Sequence, residues 1–258
     1  MSKSASQFSL RSLRQMMYSL ILVSLLCITG CSPRLYQARS AGRLYPIADS
    51  LPTDTSLLAF YRPYKMKLDS QMNDVIALSS SAITRGKPEG RLNNLVTDAM
   101  FEVGKQHHLE FDFAHTNYFG LRSPLPAGKL KVFNIFELMP FENYLVTVTL
   151  DGQSTLDLFN YMAAGGGDPI SGATYKIDNN QAVDIHIGGQ PFNINKQYIV
   201  LTSDYIANGG DKAEVYKKAL KRVESQIKQR DALFEYLKEK NAAGIQVDPK
   251  LDGRIIKK

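Results

Sequence analysis

The sequence predicts an α+β fold with mixed sheets flanked by helices. Three observations carry this. Leu92, Leu95, Val96, Ala99, Met100 and Val103 recur at three- and four-residue spacing, the period of an amphipathic helix. Tyr144 to Leu150 alternates apolar residues with Thr in the manner of a paired strand. Helix-like and strand-like segments follow one another irregularly, and some strand pairs read as antiparallel, unlike the strict alternation of a parallel α/β sheet.

In chain order, residues 57–71 read as a helix with Leu and Met on one side, and Asp74 to Ile83 as a strand through Val75, Ile76, Ala77 and Leu78. The helix Leu92–Val103 and a short strand Glu110–His115 follow. After the strand Tyr144–Leu150, Asp151-Gly152 marks a turn and Ser154–Met162 a helix. Strands are expected at about 171–178, 182–188 and 197–203, then helices at Lys212–Arg222 and Arg230–Lys240. Gly165-Gly166-Gly167-Asp168-Pro169 reads as a hinge or turn, since no Lys-Ser/Thr follows to make a phosphate loop.

The N-terminus predicts where the chain works. Residues 1–17 carry Lys3, Arg11 and Arg14 and no acidic residue; an apolar run, Tyr18 to Ile28, follows. That run is shorter than the roughly 20 apolar residues a spanning helix needs, and it has the layout of a signal peptide. Its end, Ile28-Thr29-Gly30-Cys31, resembles the lipobox of bacterial lipoproteins, which implies lipidation of Cys31. An ordinary signal peptide with an incidental Cys31, or a short anchor helix, stays open. The expected organisation is a lipoprotein signal peptide at 1–30, a lipidated Cys and tether at 31–56, and one domain at 57–258. The expected location is the bacterial cell envelope, lipid-anchored at the outer membrane and facing the periplasm, because Ser32 follows the Cys.

Composition narrows the function. Without residues 1–30 the chain has 28 basic and 25 acidic residues, net +3, so the basic balance argues little for nucleic acid. The two cysteines are Cys27, in the leader, and Cys31. The remainder has no thiol for a disulfide, a metal or a nucleophile. The four histidines, His107, His108, His115 and His186, show no ligand spacing, so no metal site is expected in this chain. No nucleophile elbow appears, a Ser–His–Asp arrangement stays open to the residues, and no catalytic residue is assigned.

Three short stretches carry polar and aromatic groups suited to recognition. In the first, Asn117 and Arg122 flank a turn with Gly120. An Asn amide both donates and accepts, and an Arg fork suits a phosphate or carboxylate. Phe141 follows Pro140 ahead of a strand, either as a core anchor or as a stacking face. Tyr205 precedes Ala207-Asn208-Gly209-Gly210-Asp211, which reads as a tight loop or as an opposing face with an acidic group. Taken singly, each has an ordinary structural role open to it.

Together these stretches resemble the substrate-binding C-terminal domain of the 5'-nucleotidase family. Gly90 to Met100 is similar to a helix of that domain, Asn117 to Arg122 to its Asn-Gly-Gly-Gly-Ile-Arg, and Met139 to Asn143 to its Leu-Pro-Phe-Gly-Asn. Ser171 to Tyr175, Tyr205 to Asp211, and Asp252 to Ile255 continue the match, which runs from about residue 60 to 256. The resemblance implies a layered α/β/β/α arrangement and a nucleotide site. Phe141 and Tyr205 would sandwich a base, Asn117 would contact it, Arg122 would meet the phosphate or ribose, and Asp211 the ribose hydroxyls. Tyr118 and Phe119 replace two family glycines and are expected to narrow or refill the site. The family's metal-binding catalytic half has no counterpart motif here. The implied function is therefore the nucleotide-binding half of a split 5'-nucleotidase, with divalent metals on a separate metallophosphatase partner. A non-catalytic nucleoside- or nucleotide-binding lipoprotein, or an interaction module with a filled pocket, are the alternatives.

Overall fold

The computed structural model describes residues 10–28, 39–46, 48 and 51–258. The lipidation site expected at Cys31 lies outside the described residues. The chain divides into two units, Met1–Asp54 and Thr55–Lys258. The first contains helix α1 (Leu10–Ile28). Among the described residues, no helix is long and apolar enough to cross a membrane.

The second unit opens with α2 (Thr55–Met72), β1 (Val75–Ser79), α3 (Arg91–Gln106) and β2 (Phe113–His115). A 3-10 turn (Tyr118–Gly120), β3 (Gly128–Lys131), α4 (Val132–Leu138), β4 (Tyr144–Leu150) and α5 (Gly152–Ala164) follow. Next come β5 (Ile170–Ser171), β6 (Ala173–Asp178), β7 (Gln181–Ile187), β8 (Gln190–Pro191), β9 (Tyr198–Ser203) and α6 (Asp204–Ala207). Two 3-10 turns (Gly210–Lys212, Glu214–Lys218), β10 (Lys221–Lys228), α7 (Gln229–Ala242) and β11 (Ile255–Lys257) complete it.

The central sheet has the order β10-β4-β9-β2-β5; β2 and β9 run parallel and the other pairs antiparallel. A four-stranded sheet, β11-β6-β7-β8, and the pair β1-β3 accompany it. The α+β class with helix-flanked mixed sheets therefore holds. Strand alternation splits the core in two. Ala114, Leu145 and Leu201 of the central sheet face a cluster with α3 and α7. Phe113, Val146, Val148 and Val200 face a second cluster with α5 and the four-stranded sheet. Within it Phe159 meets Phe113 and Tyr175, each with ring centroids 5.4 Å apart.

Four local expectations change. Lys212–Arg222 is not a helix: Asp211 and Lys212 hold left-handed φ of 51° and 67°, the chain makes 3-10 turns, and β10 begins at Lys221. The helix at 57–71 forms, but none of its residues is buried. The strand from Asp74 is regular only to Ser79, with Ile83 held by an isolated bridge to Leu125. Asp151 is not half of a turn but the N-cap of α5, accepting from the Ser154 N–H at 2.6 Å.

This topology brings the motifs together. β4, β9 and β2 are neighbours in the central sheet. Asn117 follows the C-terminal end of β2, Tyr205 follows that of the parallel β9, and Phe141 precedes the N-terminal end of the antiparallel β4. All three leave the sheet at one edge.

Candidate functional site

A cavity of about 260 Å³ opens at that edge. Asn117, Arg122, Phe141, Tyr205 and Asp211 all line it, with Phe119, Gly120 and Asn143. The structure thus gathers every substrate-contacting residue expected from sequence and adds Phe119 and Asn143. The volume lies just under the roughly 300–1,000 Å³ of drug-sized ligand pockets, room for one part of a ligand.

Its polar side is held by a chain of hydrogen bonds. The Asn117 amide nitrogen donates to Asp211 Oδ2 at 2.6 Å, and the Tyr205 hydroxyl donates to Oδ1 at 2.8 Å. The Tyr161 hydroxyl donates to the Asp211 backbone carbonyl at 3.0 Å. The carboxylate bond pushes the Tyr205 hydroxyl's pKa up. Burial, then the nearby charges of Asp168 and Asp211, push Tyr161 up further. Both hydroxyls therefore stay neutral donors across the physiological range.

Two glycines are required by this geometry. A Cβ on Gly120 would fall 2.6 Å from Asn117 Oδ1. One on Gly210 would fall 2.5 Å from the Tyr205 ring. Either side chain would displace a residue that lines the cavity.

The apolar side consists of exposed rings. Phe141 is 41% exposed, Tyr205 44% and Phe119 60%, which leaves aromatic faces open to stacking on a planar group. The Arg122 guanidinium lies 5.8 Å from the Phe141 ring centre. Tyr118 turns elsewhere: its ring sits 4.6 Å from the Arg85 guanidinium and 4.7 Å from the Lys87 ammonium. Arg85 also donates to the Leu121 carbonyl at 2.9 Å, so it braces the site loop. The bulky pair at 118 and 119 leaves the cavity open, because one ring leaves it and the other becomes a wall.

The glycine-rich stretch 165–168 packs behind the same loop. Asp168, buried, accepts from the Tyr118 N–H at 3.3 Å and lies 3.7 Å from His115 Nε2. His115, also buried, meets the Tyr216 hydroxyl through Nδ1 at 2.8 Å. Among the described residues, no group of three or more His, Cys, Asp or Glu is placed to hold a metal ion. Phe119, expected to narrow or refill the site, forms one of its walls, whereas Asn143 and Tyr161 were missed in the sequence. Asn143 lay inside a recognised motif, whereas Tyr161 shows only as one more aromatic on a helix.

Residues 71–218 match the family model described as 5'-nucleotidase, C-terminal domain. The 5'-nucleotidase of Vibrio parahaemolyticus is 25% identical over 213 residues, covering 80% of this chain and 36% of that protein. The mouse 5'-nucleotidase is 24% identical over 248 residues, covering 84% of this chain and 42% of that one. The crystal structure of a 5'-nucleotidase precursor from Thermus thermophilus superposes with a TM-score of 0.67 at 28% identity, covering 78% of this chain and 42% of that one. The chain thus spans less than half the length of these relatives.

Proposed function

Because this chain belongs to the family described as 5'-nucleotidase, C-terminal domain, we propose that it grips a nucleoside 5'-phosphate for dephosphorylation by a metallophosphatase supplied in trans. One observation carries the reading: five residues from three distant stretches line one open cavity with exposed aromatic faces and an ordered carboxylate. Phe141 and Tyr205 are the stacking faces for the base, which Asn117 also contacts. Asp211 accepts from the ribose hydroxyls, and Arg122 meets the phosphate or ribose. Phosphate release then needs a metal-activated water, which the partner would supply together with its divalent metals.

Isothermal titration of the full chain in detergent with AMP, adenosine and UMP tests the grip. Binding is expected, and Phe141→Ala should weaken it by about 5- to 150-fold, since base–aromatic stacking contributes about 1–3 kcal/mol. No binding by any of the three would refute the reading.

A second reading, a nucleotide-binding lipoprotein without a catalytic partner, is favoured by all five expected contact residues lining one cavity of this chain. It differs by the absence of hydrolysis when a metallophosphatase from the same cell is added. The open cavity argues against a filled-pocket interaction module.

The proposed envelope location rests on the basic start, the short apolar run and Cys31. A multiply acylated Cys anchors firmly, at about 0.8 kcal/mol per buried methylene. Labelling cells with an alkyne fatty acid should tag the protein and fail to tag Cys31→Ser. Equal labelling of both would remove the lipoprotein reading.

A further inference from the structure

The wall residue Phe141 sits on a segment, residues 139–143, between helix α4 and strand β4. The residue is 41% exposed, so packing alone does not hold it. The backbone beneath it is gripped from one place, the junction of β10 and α7. There three consecutive residues reach across the chain. Lys228 donates from its ammonium to the Glu142 carboxylate. The Gln229 N–H donates to the Asn143 carbonyl at 2.8 Å, and its side chain donates to Thr116 Oγ1 at 2.9 Å, next to Asn117. Arg230 makes the most contacts. Its Nη1 donates to the carbonyls of Met139 and Phe141, each at 3.3 Å, and its Nη2 to Glu142.

Arg230 is 5% exposed, with its guanidinium 4.1 Å from the Phe136 ring centre. It also lines a second cavity, of about 10 Å³, that shares Asn117, Gly120, Phe141 and Asn143 with the main one. A buried cation is costly unless it is paired and hydrogen-bonded, so a guanidinium in this place holds its partners as firmly as they hold it. One arm of its planar fork, Nη1, takes both carbonyls while the other, Nη2, takes the Glu142 carboxylate, a two-armed grip that the single nitrogen of a Lys ammonium does not reproduce. Residues 228–230 lie beyond residue 218, where the family match ends.

We propose that Arg230 is the positioning residue of the stacking wall: it fixes the backbone on both sides of Phe141 and so sets the ring's place in the cavity. The binding part of this inference rests on the nucleotide reading above; the positioning part does not.

The test separates the two. The full chain in detergent carries 4-fluorophenylalanine at position 141, read by fluorine NMR without ligand. The otherwise unchanged protein should show one narrow line, and Arg230→Met a broadened or split one. Arg230→Lys, which keeps the charge without the fork, should resemble Arg230→Met. Glu142→Ala serves as a second variant if the buried substitutions fail to fold, and should also broaden the line. AMP titration then closes a double-mutant cycle with unlabelled protein. Arg230→Met should weaken binding about tenfold, and by less than about twofold once Phe141→Ala is present.

An unchanged fluorine line in all folded variants overturns the proposal, as does a narrow line restored by Lys. So does a full tenfold loss in the Phe141→Ala background, which would mean Arg230 acts on the ligand by another route. If the unsubstituted protein binds no AMP, the nucleotide reading fails while the fluorine lines still decide the positioning role.

Discussion

Glu142 shows how far a single residue beside the cavity answers to charges distant in sequence. Its carboxylate takes bonds from Lys228 and from Arg230, and these hold its pKa below the ordinary 4.5, the Lys228 bond contributing most. The folded value is thus lower than the unfolded one. Stabilisation from this group is complete above about 4.5 and is lost as pH falls through the lowered folded value. The carboxylate is largely exposed, so solvent screening keeps the effect small. Thermal midpoints of the protein and of Glu142→Gln, taken from pH 8 down to 3, should differ by a constant amount above about pH 5. That gap should narrow as pH falls below 4.5, and a gap that does not change with pH would mean the pair is not its source. At this scale the sequence was legible where a motif named the residue, as with Asn117, Arg122, Phe141, Tyr205 and Asp211. It was silent on Arg230 and Tyr161, whose roles come from partners 89 and 50 positions away.

Elements were legible in proportion to how regularly they bury one face. α3 buries Leu92, Leu95, Val96, Ala99, Met100 and Val103, and its period was visible in the residues alone. β10 is an edge strand with no buried residue among Lys221–Lys228. Nothing selected an apolar–polar alternation there, and the Lys- and Arg-rich segment before it passed for the end of a helix. α2 is the converse case: it has helical spacing and yet buries nothing. This separates two phenylalanines of equal hydrophobicity. Phe60, on α2, is 70% exposed, whereas Phe159, on α5, is fully buried against Phe113 and Tyr175. Chemical denaturation should place Phe60→Ser within about 0.5 kcal/mol of the unsubstituted protein. Phe159→Ala should lose about 3–5 kcal/mol. A large cost at Phe60 would mean that α2 is covered in solution.

At the largest scale, one sheet brings together the three segments that line an open cavity, in a chain spanning less than half the length of its relatives. If hydrolysis happens in trans, the division of labour has a kinetic signature. The rings and Asp211 touch parts of the ligand that do not react, so their contacts are the same in the ground state and the transition state. Such uniform binding lowers KM and leaves kcat alone. In a reconstituted mixture with the metallophosphatase, Phe141→Ala should therefore raise KM for AMP by about 5- to 150-fold while kcat stays within about twofold. Steady-state rates over a wide AMP range decide it. A fall in kcat of tenfold or more at saturating AMP would show that the ring also aligns the phosphate for attack. The base site would then be part of the reacting geometry. An unchanged KM would mean that the base is held elsewhere, and that the cavity at this sheet edge serves something other than the reaction.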